Sequence, residues 1–382
     1  MAKKVYVIAG EASGDLYGAD LIRSLRAESR EPLEIHGVGG DRIRNTGALD
    51  FFDLAHFHVT GITDALKRLP DYKRAEKIIL AQFERAKPDV AVLIDNPGFN
   101  LHLAPRLRAM GVPLVYYIAP QVWAWAPERV RKIARYFSKV LVVFEFEKAI
   151  YEREGIPVEW VGHPLKDVLR DIRPAPRERG KRLVSLLPGS RKGEIKMLFD
   201  AFLGAAKTLS RGMADLTFAL IKAPTIPRAV YERLIRKARM DLRLVEQDPY
   251  GTIASSDLAI VCSGTATLEC ALLGVPMVIS NRGTLLTYLI ARALIRVPYL
   301  GLPNLILGRK SIPELLQFDA TPRRLAAEAR RLLGDGPARA RMGADLAEVS
   351  RRLGEPGATR RAAAEVLKVL DRHPAANPLQ KV

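Results

Sequence analysis

Residues 260–279 read IVCSGTATLECALLGVPMVI. Both ends of this stretch are short apolar runs of β type. Between them lie small polar residues, Ser263, Gly264, Thr265 and Thr267, and then one carboxylate, Glu269, among Leu, Cys and Ala. A strand that hands over to a helix and returns as a strand is the repeating unit of a parallel sheet. Ligands of such sheets sit beyond the carboxyl ends of the strands, near helix N-termini. Ser263, Gly264 and Thr265 therefore form an amide-rich corner, although Ser and Thr are also ordinary N-caps. Glu269 adds weight, because a carboxylate one turn into an apolar helix needs a partner. A ribose diol would supply two hydroxyl donors.

The same rhythm runs outward in both directions. KVYVIAG, LEIHGVGG, DVAVLIDNPG, PLVYYIAP, KVLVVFEF and VEWVGHP precede a proline-rich, charged segment, DIRPAPRERGKR at 171–182. RLVSLLPGS, ADLTFALIK, LRLVEQ, DLAIVCSG and VPMVIS follow it. The expectation is an α/β protein of two doubly wound, Rossmann-like parallel-sheet domains facing a cleft. The N-terminal domain is placed at 1–170, the linker at 171–182 and the second domain at 183–345. A helical tail at 346–382 packs back on the first domain or on a dimer partner.

Each strand-to-helix handover is a candidate site. Gly10-Glu11-Ala12-Ser13-Gly14-Asp15 lacks the G-x-G-x-x-G spacing of a dinucleotide loop, and no P-loop signature occurs. It reads as a tight turn or as a binding loop carrying Glu11 and Ser13. In DNPGFN, Asp95 stands at a strand end with Asn100 shortly after, a pattern equally suited to a turn and to catalysis. Gly189, Ser190 and Arg191 in LLPGSR bring bare backbone and a guanidinium to one corner, as a phosphate requires. Two phosphate-type corners and an acid for a sugar suggest a nucleoside diphosphate.

The 382 residues carry a formal net charge of +18 and are 48% hydrophobic. Polyanions fit that charge: nucleic acid, anionic headgroups or phosphorylated substrates, or simply a solvated arginine-rich surface. No zinc-finger spacing or RNA-recognition signature is present, which sets nucleic acid aside. No apolar run reaches the roughly 18 residues needed to cross a bilayer. The two cysteines, Cys262 and Cys270, read as buried free thiols of a reduced cytoplasm.

From AGEASGD through DNPGFN, IAPQVWAWAPERVRKI, GHPL, LLPGSR and SGTATLE to LPNLILGR, the chain resembles the lipid-A-disaccharide synthases, two-domain glycosyltransferases of the GT-B type. The resemblance implies that UDP-2,3-diacylglucosamine donates its sugar to 2,3-diacylglucosamine 1-phosphate, giving a β-1,6 disaccharide and UDP. It also implies Asp95 as the catalytic carboxylate and Arg191 as the diphosphate contact. Glu269 and Asn304 would hold the nucleotide end, with Glu11, Ser13, Gly14 and Asn100 lining the cleft. No metal or other cofactor is expected. Where some relatives carry a second acid, this chain has Gly98. In HFHVTGITDALKRL, Val59, Ile62 and Leu66 are candidates for acyl-chain contact or for ordinary helix packing, and His56 and His58 read as loop histidines. Trp123 and Trp125 suit an interface, a substrate stack or the core. A lipid substrate implies peripheral attachment to an anionic inner-membrane surface from the cytoplasmic side. The rival readings are another GT-B enzyme acting on UDP-N-acetylglucosamine, and a non-catalytic polyanion- or membrane-binding protein.

Overall fold

The computed structural model describes residues 2–54, 69–125, 128–294 and 297–372. The chain divides into two compact units, 1–167 with 353–382, and 168–352.

The first unit holds a seven-stranded, wholly parallel sheet. Its strands are β1 (Lys3–Ala9), β2 (Leu33–Gly39), β3 (Leu49–Asp53), β4 (Val90–Ile94), β5 (Leu114–Tyr117), β6 (Lys139–Val142) and β7 (Val158–Trp160), in the order β3-β2-β1-β4-β5-β6-β7. Every residue of β4 is buried. A strand covered by helices on both faces has no polar side to alternate with, which is why VAVLI reads as a continuous apolar run. The second unit has a six-stranded parallel sheet built from β8 (Arg182–Leu187), β9 (Leu216–Ile221), β10 (Arg243–Val245), β11 (Leu258–Cys262), β12 (Met277–Asn281) and β13 (Glu314–Leu316). Its order is β10-β9-β8-β11-β12-β13.

In each sheet the winding reverses once, between β1 and β4 and between β8 and β11. These reversals open a crevice at the strands' carboxyl ends, where doubly wound sheets bind ligands. The loops that leave those four strands begin at Gly10, Asp95, Pro188 and Ser263.

The final helix, Ala358–Arg372, returns to the first unit. The Asp167 carboxylate accepts the N–H groups of Gly357 and of Thr359, the latter at 2.9 Å, and so closes the helix N-terminus. Lys139 pairs with Glu365 at 2.7 Å, and Arg360 with Glu28 at 2.7 Å. The preceding helix, Gly336–Arg352, stays in the second unit, and the chain returns to the first unit at Leu353. Two strands escape a sequence reading, β3 and β13. Both are short edge strands, and in β3 Leu49 is largely exposed.

Candidate active site

At the first reversal, the chain leaves β4 through two consecutive left-handed residues, Asp95 at φ 48° and Asn96 at φ 40°. Each such non-glycine residue costs on the order of 1 kcal/mol or more, so the surroundings must hold the pair. Asn100 donates from Nδ2 to the carbonyls of Ile94 at 3.1 Å and Asp95 at 2.6 Å. The Tyr116 hydroxyl donates to the same Asp95 carbonyl at 2.8 Å, and the Asp95 N–H bonds the Tyr117 carbonyl at 3.0 Å. Burial, reinforced by the Asp95 charge, drives the Tyr116 phenol well above its ordinary pKa, so it stays a donor. The neighbouring strand also ends in strain, at the β-branched Ile118 with φ 57°. Asp95 itself is half-buried. Asn100, expected to line a cleft, is fully buried and fixes the turn beneath Asp95.

The loop after β1 lies directly on this turn. A Cβ at Gly10 would stand 2.0 Å from Asn96 Nδ2, so only glycine fits there. Glu11 precedes the helix Ala12–Glu28 in extended backbone and is half-buried, as is Ser13, while Gly14 is buried in the first turn. Asp15, which the motif reading passed over, is the buried acid of that helix's first turn. Its carboxylate accepts the N–H groups of Gly40 at 2.8 Å, Arg42 at 3.0 Å and Ile43 at 3.0 Å, capping the short helix Asp41–Arg44. The signal was present as an acid in a first turn facing a strand that ends in Gly39-Gly40. At Gly98 the space is open: among the described residues, no heavy atom lies within 4 Å of a Cβ built there.

At the second reversal, Gly189 at φ 121° leads through Ser190 to Arg191, which caps the helix Lys192–Gly212. Here the structure differs from the expected open phosphate corner. The Glu194 carboxylate already accepts the N–H groups of Ser190 at 2.9 Å and Arg191 at 3.2 Å, and the Arg191 guanidinium at 3.1 Å. A Cβ on Gly189 would reach within 2.5 Å of Glu194 Oε2, so that glycine makes room for the internal anion. Glu194 lies three positions after Arg191, the capping-box spacing, which is the signal a sequence reading could have used.

After β11, Ser263 is tied at both ends. Its N–H bonds the Ser280 carbonyl at 2.9 Å, and its hydroxyl donates to the Leu300 carbonyl at 2.9 Å. Gly264 is exposed at φ 148°, and Thr265 opens the helix Thr265–Leu272. Glu269 is half-buried in that helix, and desolvation lifts its carboxyl to a pKa of about 7 against a hydrogen bond from the Tyr250 hydroxyl at 3.4 Å. The partner that the sequence demanded for Glu269 is thus, in part, a tyrosine. Cys262 and Cys270 are buried free thiols.

Asn304 does not face outward. It is fully buried, donates to the Ile312 carbonyl at 2.8 Å and Glu314 Oε1 at 2.6 Å, and accepts the N–H groups of Ser311 at 2.9 Å and Ile312 at 2.8 Å. An asparagine has two donor hydrogens and two acceptor lone pairs, and all are used. The resemblance assigned Asn304 to the nucleotide; here its amide is spent within the second unit. Glu314 in turn accepts the N–H groups of Leu300 at 2.9 Å and Gly301 at 3.1 Å. Asn304 therefore acts on the Ser263 corner through Glu314 and Leu300.

Trp123 donates to the fully buried Glu147 at 3.0 Å and meets Phe146 edge-on. Burial raises the Glu147 carboxyl to about 7 and lowers the buried His163 to about 4. Val59, Ile62, Leu66, His56 and His58 lie outside the described residues, as does the side chain of Trp125. A cavity of about 430 Å³, lined by Arg177, Leu183, Phe218 and Arg243, opens at the amino-terminal edge of β8–β10, away from the strand ends that carry these residues.

The family model described as Lipid-A-disaccharide synthetase matches residues 5–368. A lipid-A-disaccharide synthase of Myxococcus xanthus is 40% identical over 374 residues, covering 96% of this chain and 97% of the relative. One of Geobacter sulfurreducens is 39% identical, with 96% and 97% covered. The chain belongs to the lipid-A-disaccharide synthetase family.

Solved structures extend the fold beyond that family. A Staphylococcus aureus MnaA structure with UDP superposes with a TM-score of 0.70 at 13% identity, covering 97% of each chain. A UDP-GlcNAc 2-epimerase of Neisseria meningitidis, solved bound to UDP-GlcNAc, gives 0.67 at 13%, covering 96% of this chain and 100% of that one. At this distance the likeness is one of fold: two parallel-sheet α/β domains of the GT-B kind. The family makes the chain a glycosyltransferase.

Proposed function

We infer that this glycosyltransferase joins UDP-2,3-diacylglucosamine to 2,3-diacylglucosamine 1-phosphate, releasing UDP and the β-1,6 disaccharide 1-phosphate. One observation carries the reading at residue level. In a chain that matches the family over residues 5–368, the loops carrying Glu11, Asp95, Arg191 and Ser263 leave the strands at the two winding reversals, where such sheets bind ligands.

Each residue's part follows from its surroundings. Asp95, set at the mouth of a strained turn that Asn100 and Tyr116 hold still, takes the proton of the acceptor's 6-hydroxyl. That oxygen forms the new bond to the anomeric carbon as the bond to UDP breaks, and the electron pair leaves with the diphosphate. Arg191 and the amides of the Gly189–Arg191 corner receive the developing charge once Glu194 yields to it. Glu269 takes the ribose hydroxyls. One displacement turns an α-linked donor into a β-linked product, with no covalent nucleophile and no metal. Among the described residues no helix is long and apolar enough to span a bilayer. In this reading the chain meets its lipid substrates by peripheral attachment at an anionic surface.

The test is product analysis in the presence of EDTA, with UDP-2,3-diacylglucosamine and UDP-N-acetylglucosamine as competing donors. The reading expects UDP release and disaccharide from the acylated donor alone. Turnover of the unacylated donor would move the chain to the epimerase-like alternative, and EDTA-sensitive turnover would overturn the metal-free mechanism.

A further inference from the structure

The helix Leu285–Leu294 (LLTYLIARAL) follows β12 on the carboxyl edge of the second sheet. Leu285, Leu286 and Leu289 are 59%, 63% and 53% exposed. Their spacing puts all three on one helical face. Single exposed leucines are ordinary, but a contiguous apolar stripe on a protein surface calls for a partner. Phe318, 67% exposed, extends the stripe by standing edge-on to Tyr288 with ring centroids 5.7 Å apart.

The patch is held in place. Gln317, left-handed at φ 51°, clasps the backbone of Gly283: its Nε2 donates to the Gly283 carbonyl at 3.1 Å and its Oε1 accepts the Gly283 N–H at 3.1 Å. The Thr284 hydroxyl accepts the Thr287 N–H at 3.2 Å and starts the helix. A left-handed glutamine whose amide secures the helix entry is a costly arrangement for a face that does nothing.

Charge selects the occupant. Arg282 and Arg292 are exposed about one turn before and after the leucines, and no Asp or Glu occurs between Arg282 and Pro313. A second copy of the chain would set these arginines against their own kind in a protein of net charge +18. An anionic bilayer takes leucines below its headgroups and arginines at its phosphates. We propose that the helix Leu285–Leu294, with Phe318, docks in the interface of an anionic bilayer. The proposal deepens the reading of a lipid-substrate enzyme and rests on it. The same sheet edge carries Arg191 and Ser263, so docking would bring the nucleotide-binding corners to the surface where acylated sugars reside.

Flotation with phosphatidylethanolamine vesicles containing a minority of phosphatidylglycerol tests it, against pure phosphatidylcholine. The variant combining Leu285→Ser, Leu286→Ser and Leu289→Ser should lose roughly a hundredfold in partitioning. Arg282→Ala with Arg292→Ala should lose roughly tenfold, and only at low salt. Both should keep UDP binding and disaccharide formation from detergent-dispersed substrates. Because both native thiols are buried, Leu286→Cys carrying an environment-sensitive dye should brighten on vesicle addition even if the triple variant folds poorly. Unchanged flotation of the triple variant, a silent Leu286 probe, or a wild-type dimer that this variant dissociates would each overturn the proposal. Wild type that docks through this face but makes no disaccharide would support the surface while refuting the reaction.

Discussion

Replacing Asn304 by alanine should destabilise the second unit by about 3–5 kcal/mol. The figure follows from the groups left behind. Ile312 is fully buried and would lose partners for both its N–H and its carbonyl, while near the surface Ser311 N–H loses its acceptor and Glu314 Oε1 loses one of two donors, keeping the Gly301 N–H. Each buried group left unsatisfied costs about 1–3 kcal/mol, and the partly exposed ones can turn to water. For a unit of this size the loss corresponds to roughly 10 °C in thermal midpoint. Hydrogen exchange should localise it, with faster exchange at Leu300, Gly301, Ser311 and Ile312. Weaker UDP binding should accompany the change, because Leu300 anchors the Ser263 hydroxyl. A variant with normal midpoint and normal exchange that nevertheless fails to bind UDP would refute this reasoning and return Asn304 to the ligand.

Three further outcomes are expected. Glu147 titrates near 7 in the folded chain against an ordinary value of 4.5, so the stability it contributes is present below about 4.5 and lost as pH rises through 7. Glu147→Gln should therefore melt with wild type at about pH 5 and exceed it by about 2–3 kcal/mol at about pH 8.5. Glu194→Gln removes the internal anion from Arg191 and should tighten UDP binding by roughly threefold to tenfold in calorimetry; weaker binding would instead make Glu194 the residue that positions Arg191. With the Glu269 carboxyl raised to about 7, wild type should gain UDP affinity between about pH 6 and pH 8. Glu269→Gln should lack that component, and an identical pH profile in the variant would remove Glu269 from the ribose.

The two sheets were readable because buried parallel strands announce themselves as unbroken apolar runs, and β4 and β11 do so plainly. Edge strands do not: β13 spans three residues and borrows its regularity from β12. Residues on the loops after the reversing strands were legible in position but not in role. Asp95, Arg191 and Glu269 stand where the motifs put them, whereas Asn100 and Asn304 point inward, and sequence spacing does not tell a ligand-facing amide from one that satisfies a buried turn. Asp15 and Glu194 were missed because an acid near a helix N-terminus reads as a cap, and in both cases it is one. Their importance comes from which amides they occupy, which only the folded backbone specifies.

The most direct test of the account is Asp95→Asn compared with wild type in disaccharide formation, with UDP binding measured on the same samples. Asparagine accepts the left-handed backbone at φ 48° at least as readily as aspartate, so the turn should survive. UDP affinity should stay intact while product formation falls by roughly a hundredfold to ten-thousandfold. Near-normal turnover by the folded variant would contradict it and move the base elsewhere.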